Sequence, residues 1–125
     1  MRISPEITLT TDAGGDGTAY SIYFNGMVML ITYDGWLDAG ADLVVTTETT
    51  GINVLTKDNI GAAAVQWRPV ATLQAAADGS DSDLEDYIHN PGERLLFTIE
   101  NGGAADTGVF TVWFLGDEMA TKNDQ

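Results

Sequence analysis

Cysteine is absent from the 125 residues. That absence removes disulfide stapling, thiolate catalysis and cysteine-based zinc sites together, and it leaves the redox compartment unreadable. Stability must come from packing or from assembly. Positive charge is nearly as scarce: five Lys and Arg stand against nineteen Asp and Glu, a formal net charge of −14. Such a chain is repelled at long range by phosphate backbones and anionic headgroups, so neither a nucleic-acid nor a membrane partner is expected. Solvent, a basic partner or divalent cations suit it. Long apolar runs are missing as well. The longest, residues 27–31, is far below the ~20 residues of a membrane helix, and the opening MRISPEITLTT holds no run of signal-peptide length. The expectation is synthesis in a cytoplasm without export by that route.

Helical periodicity is also nearly absent. What is present is a 44% hydrophobic chain of a size that suits one domain, in which runs rich in Val, Ile, Thr, Tyr and Phe alternate with clusters of Gly, Asp and Asn. That is the pattern of strands and turns. Residues 6–11 alternate Ile7 and Leu9 with polar neighbours, a strand with one buried face. Asn25-Gly26 between two apolar runs has the chemistry of a type I′ turn, so residues 20–24 and 27–33 are expected to form a hairpin. Residues 42–49 and 52–56 form a second hairpin about Gly51, and residues 94–100 and 108–115 a third about NGGAADT. A strand at 62–68 should end, or lie at an edge, before Pro69. The stretch 71–77, ATLQAAA, admits a short turn of helix, and 78–86, DGSDSDLED, reads as an exposed acidic loop.

Seven or eight short strands joined by hairpins define an all-β antiparallel sandwich or barrel of the jelly-roll or immunoglobulin-like kind over residues 1–115, with a polar tail at 116–125. A parallel α/β fold is excluded for want of crossover helices.

Chemistry leaves few marks. Nucleophilic catalysis needs a base beside the nucleophile, and the one histidine, His89 in YIHNPGE, sits before a turn signature as an ordinary surface histidine would. No nucleophile elbow, phosphate-binding glycine loop, dinucleotide fingerprint or H-E-x-x-H motif occurs. Carboxylate pairs carry no signal among nineteen acids. Calcium could take oxygens from DAGGDG at 12–17 or from the acidic stretch at 78–86, yet neither fits the EF-hand pattern, and solvated turn acids explain both. No catalytic residue, cofactor or metal ligand is therefore assigned, and the chain reads as a structural or binding module rather than an enzyme.

Of the three tryptophans, Trp67 and Trp113 lie in strand-like runs and are expected in the core. Trp36, after Asp34-Gly35, is expected to be exposed and to anchor an interface. Tyr33 beside it, and Ile3 and Pro5 in the N-terminal arm, complete the interface candidates.

Three segments together, ITLTTDAGGDGTAYS (7–21), GADLVVTTETTGINVLTKDNIGAAAVQWRP (40–69) and ERLLFTIENGGAADTGVFTVWF (93–114), resemble small virion structural proteins of tailed bacteriophages. In that family the late loop typically reads Gly-Gly-Asn-Ala-Lys-Thr-Gly. Here residues 102–108 lack its amide and its base, so any subunit contact made by that loop must differ in charge. The resemblance implies a particle component, foremost a decoration or cement protein bound to the major capsid protein on the capsid exterior, in a homo-oligomer for which a trimer is the favoured form. A chain of −14 suits the outside of a shell better than the dense phosphate within it. A head–tail joining or tail protein, and a carbohydrate- or host-recognition sandwich presenting Trp36 and Tyr33, are the alternatives.

Overall fold

The computed structural model describes residues 1–74 and 81–119, without the side chains of 72–74 and 81–84. It is an antiparallel β-sandwich, not a closed barrel. One sheet holds seven strands: β1 (Arg2–Ile3), β2 (Ile7–Thr10), β4 (Tyr23–Gly35), β7 (Val65–Trp67), β8 (Val70–Gln74), β9 (Asp81–Glu93) and β11 (Thr107–Met119). The other holds four, in the order β3 (Gly17–Tyr20), β10 (Leu95–Glu100), β5 (Asp42–Thr47) and β6 (Asn53–Lys57).

Period-two alternation builds the core. Ile7, Leu9, Phe24, Val28, Ile31, Tyr33, Phe110, Val112 and Phe114 turn in from the large sheet, and Leu43, Val45, Leu95, Phe97 and Ile99 from the small one, all buried. Aromatic rings pack both between the layers and within the large sheet. Phe97 meets Phe110 across the sandwich at 5.0 Å between centroids, and Phe24 stacks on Phe114 at 4.3 Å. Removing a buried ring of this kind costs about 3–5 kcal/mol, transfer and cavity together.

Several expected elements differ, and most differ for one reason: alternation names the face a strand buries but not its partner. The chain changes sheet between β2 and β3, β3 and β4, β4 and β5, β6 and β7, β9 and β10, and β10 and β11. The expected third hairpin is therefore an arch, with β10 and β11 in opposite sheets and the loop 101–106 crossing over. Asn101, Gly103 and Ala105 turn that loop with φ values of 59°, 86° and 54°. The expected hairpin at Asn25-Gly26 does not form; β4 runs straight through it, and Gly26 pairs with Gly116 of β11. The break falls earlier, at Ser21. Its amide donates to Leu95 O and its Oγ accepts from Leu95 N, both at 2.9 Å, before the chain crosses.

The second hairpin, β5–β6 about Gly51 (φ 70°), stands as read. β7 is shorter than the expected 62–68, but it ends before Pro69 as read, and among the described residues its one ladder partner is β4. Residues 71–74 are strand rather than helix and 81–86 are strand rather than loop, because each supplies the other's ladder: Ala71 pairs with Asp86 and Gln74 with Asp81. The remainder of those two stretches, 75–80, lies outside the described residues. The polar tail does not begin at Gly116, since Gly116 to Met119 pair with Gly26 to Tyr23.

Candidate functional site on the outer face of the large sheet

A bulge in β4 decides which residues look outward. Trp113 pairs with Leu30 but Phe114 pairs with Val28, so Met29 is the extra residue. An inserted residue reverses the alternation. Before it Phe24, Gly26 and Val28 are buried; after it Ile31 and Tyr33 are. Leu30, Thr32 and Asp34 are thereby set outward, and Trp36 continues that set, held by its amide to Thr107 O at 3.0 Å.

Cross-strand partners in an antiparallel sheet share a face. Ile3 pairs with Trp113, which pairs with Leu30, forming one apolar row across β1, β11 and β4. Leu115 pairs with Met27, which pairs with His89. Exposure is high for side chains of this size: Trp36 66%, Leu115 56% and Ile3 49%. Between Trp36 and the Leu30–Trp113 row the face is polar, with Thr32 hydrogen-bonded to Thr111 and Thr10 to Thr107. An open groove there runs between Glu6, Asp34 and Gln66. Fixed donors and carboxylates flank an apolar row, an arrangement suited to binding another protein surface.

The sequence candidates divide. Trp36 and Ile3 lie on this one face, and Pro5 is exposed at its edge. There the proline interrupts the strand that would otherwise join β1 to β2. Ser4 bridges the gap, donating from N to Val112 O at 2.8 Å and accepting from Val112 N on Oγ at 3.0 Å. Tyr33 is a correction: only 2% exposed, it points inward because Met29 shifts the alternation. Its hydroxyl donates to Gly61 O at 2.6 Å and accepts from Leu37 N at 3.4 Å, and its ring lies 6.2 Å from that of Trp67. Burial pushes the Tyr33 hydroxyl above its ordinary pKa, and the nearby Asp34 and Asp106 carboxylates push the same way against the Leu37 amide.

Trp113 is the second correction. It is half-buried and faces outward rather than into the core. Trp67 is half-buried and packs against the core edge. The missed signal was continuity: 109–115 (VFTVWFL) and 27–31 (MVMLI) are apolar in both parities, as strands covered on both faces are.

His89 is exposed within β9 rather than before a turn. The Asn90-Pro91-Gly92 signature forms an irregularity in the β4–β9 ladder instead, because Asn90 closes it from inside. Its Nδ2 donates to Phe24 O (2.9 Å) and Glu93 O (2.8 Å), and Gly92 takes φ 77°. Asp12 is engaged as a turn acceptor, taking the amides of Gly14 at 2.8 Å and Asp16 at 3.0 Å on one oxygen. Among the described residues no three His, Asp or Glu side chains gather as a metal would need.

One corner of the small sheet is tied electrostatically. Arg94 forms a bidentate pair with Glu48 (2.8 and 2.6 Å) and lies 4.0 Å from the Tyr20 ring centroid. The Glu48 hydrogen bonds hold the guanidinium above its ordinary pKa.

Compared with family models, with curated proteins and with solved structures, the chain matches none of them.

Proposed function

We propose that this protein is a virion structural component of a tailed bacteriophage, a decoration or cement protein held on the exterior of the major capsid protein lattice. The observation that carries the proposal is the apolar row Ile3–Trp113–Leu30, with Leu115 and Trp36, on the outside of a sheet whose inside is already filled. A face apolar at its central strands is a face that something covers. The resemblance of segments 7–21, 40–69 and 93–114 to small virion proteins supplies the kind of partner, and the charge of −14 favours the side of the shell away from packaged DNA.

The mechanism is linkage. A protein that binds the assembled lattice and not free subunits lowers the free energy of the lattice by mass action and asks for no turnover. The side chains named act by contact: Trp36 and Trp113 as aromatic anchors, Leu30, Leu115 and Ile3 as the apolar surface around them.

Co-sedimentation of the purified protein with expanded shells, with bound copies counted, tests the proposal. A lattice-wide decoration gives on the order of hundreds of copies per shell. A stoichiometry of about a dozen would make it a joining-ring protein instead, and no binding would overturn the reading.

A further inference from the structure

A second feature is independent of that face. β9 pairs with β4 only as far as Val28–Ile88; from Ile31 onward the same edge of β4 is taken by β7. From Tyr87 back to Asp81, β9 has β8 as its partner. The β8–β9 pair thus leaves the sandwich as a two-stranded ribbon, a structure only marginally stable when nothing else packs on it. Asp81, Asp83, Glu85 and Asp86 lie along it, and neither of its strands carries a Lys or Arg.

At the root of the ribbon lies a groove floored by Leu55, Trp67, Pro69 and Ile88 and rimmed by Lys57 and Arg68. The chain has five basic residues, and here two of them stand together on an otherwise acidic protein. Arg94 is committed to Glu48, whereas Lys57 and Arg68 are both exposed and meet no carboxylate within salt-bridge distance among the described residues. One wall of the groove is β6, an edge strand whose sole ladder partner among the described residues is β5. Neither Glu85 nor Asp86 of the same chain lines this groove, whose edge at the ribbon's root is Val70 and Ala71, and Asp86 Oδ1 is taken by the Tyr87 amide at 2.7 Å. At about 3.3 Å per residue, Asp81 lies ~20 Å along the strand from Ile88.

We propose that this groove is the docking site for the acidic β8–β9 ribbon of a second copy of the same chain, with Lys57 and Arg68 receiving the carboxylate of the incoming Glu85, which lies on the ribbon face opposite Asp86. Charge complementarity selects the occupant. The ribbon is all-acidic, the groove holds the basic pair, and every copy brings one of each at equal concentration. Donor and acceptor are different patches, so the contact closes either reciprocally between two copies or head to tail around a ring.

The test is the solution mass of the full chain by sedimentation equilibrium, with two charge-reversed variants. Wild type is expected above the 13.3 kDa of one chain. The double variant Lys57→Glu/Arg68→Glu and the single variant Glu85→Lys should each fall to monomer. Mixing the two should restore association, since the basic ribbon of one then fits the acidic groove of the other; restored mass also proves that both variants fold. A wild-type chain monomeric at every concentration tested overturns the inference, as does an oligomer indifferent to both reversals. Shell binding by a monomer would sink this inference and leave the capsid reading standing.

Discussion

Gly26 and Gly116 face each other across the β4–β11 pair so closely that neither position has room for a side chain. A Cβ on Gly26 would lie 2.2 Å from Leu115 O, and one on Gly116 would lie 2.0 Å from Asn25 O. Gly116 adds φ +156°, a conformation L-residues rarely adopt. Gly35 and Gly108 repeat the arrangement farther along the same pair, with a Gly35 Cβ 2.6 Å from Thr107 O. β4 and β11 therefore approach each other through glycine at one end of their ladder and again within it, where β-branched residues would hold them apart.

Gly26→Ala is accordingly expected to destabilise the fold by about 1–3 kcal/mol, the usual cost of forcing a methyl against backbone. Gly40→Ala is the control. A Cβ there meets nothing within 4 Å and φ is ordinary, so the variant should be neutral or gain about 0.4–1 kcal/mol from a less flexible unfolded chain. Urea denaturation of the pair checks the contrast.

Tyr33→Phe removes the hydrogen bond to Gly61 O and should cost about 0.5–1.5 kcal/mol at neutral pH. The pH dependence carries the sign of the shift. The folded-state pKa is raised above 10.0, so the fold favours the neutral phenol: this contribution is full below pH 10 and is lost as pH rises through the folded-state value. Stability measured from pH 8 to 12 should therefore fall less steeply in Tyr33→Phe than in wild type.

Glu93 is 4% exposed and caps the β5–β6 turn from the opposite sheet. One oxygen accepts the amides of Thr49 (2.6 Å) and Thr50 (2.9 Å), and the other accepts the Thr50 hydroxyl (2.7 Å). Glu93→Gln puts an NH2 where one of these oxygens must accept, so a loss of about 1–3 kcal/mol is expected. Amide exchange should then quicken first at Thr49 and Thr50.

On the outer face the expected effects fall on binding and spare the fold. Trp36→Ala removes the most exposed large ring among the described aromatic residues and should raise the dissociation constant for shells by at least ~30-fold, about 2 kcal/mol for an aromatic anchor. Asp86→Asn should change it less. Equal effects, or a fall in melting temperature for Trp36→Ala, would count against an anchor role.

Strand content and many buried faces were legible in the sequence because they follow from side-chain alternation, as at Ile7 and Leu9. Partnership was not. Asn25-Gly26 has the chemistry of a turn and the job of a close approach, and only the facing Gly116, ninety residues later, distinguishes the two. The same holds for 81–86, whose polarity reads as a loop until β8 supplies a ladder. Trp36 and Ile3 could be picked out singly. Their placement on one face with Trp113 and Leu30 depends on Met29, whose extra residue leaves no trace in local composition and sends Tyr33 inward.

The central claim is that the outer face of the seven-stranded sheet is covered by the capsid lattice. Imaging decorated shells at side-chain resolution tests it most directly. The account predicts Ile3, Leu30, Trp113 and Trp36 against the major capsid protein on the outer surface of the shell, with both tryptophans out of contact with solvent. Finding those four side chains in open solvent, or the chain on the genome side of the shell, would contradict it.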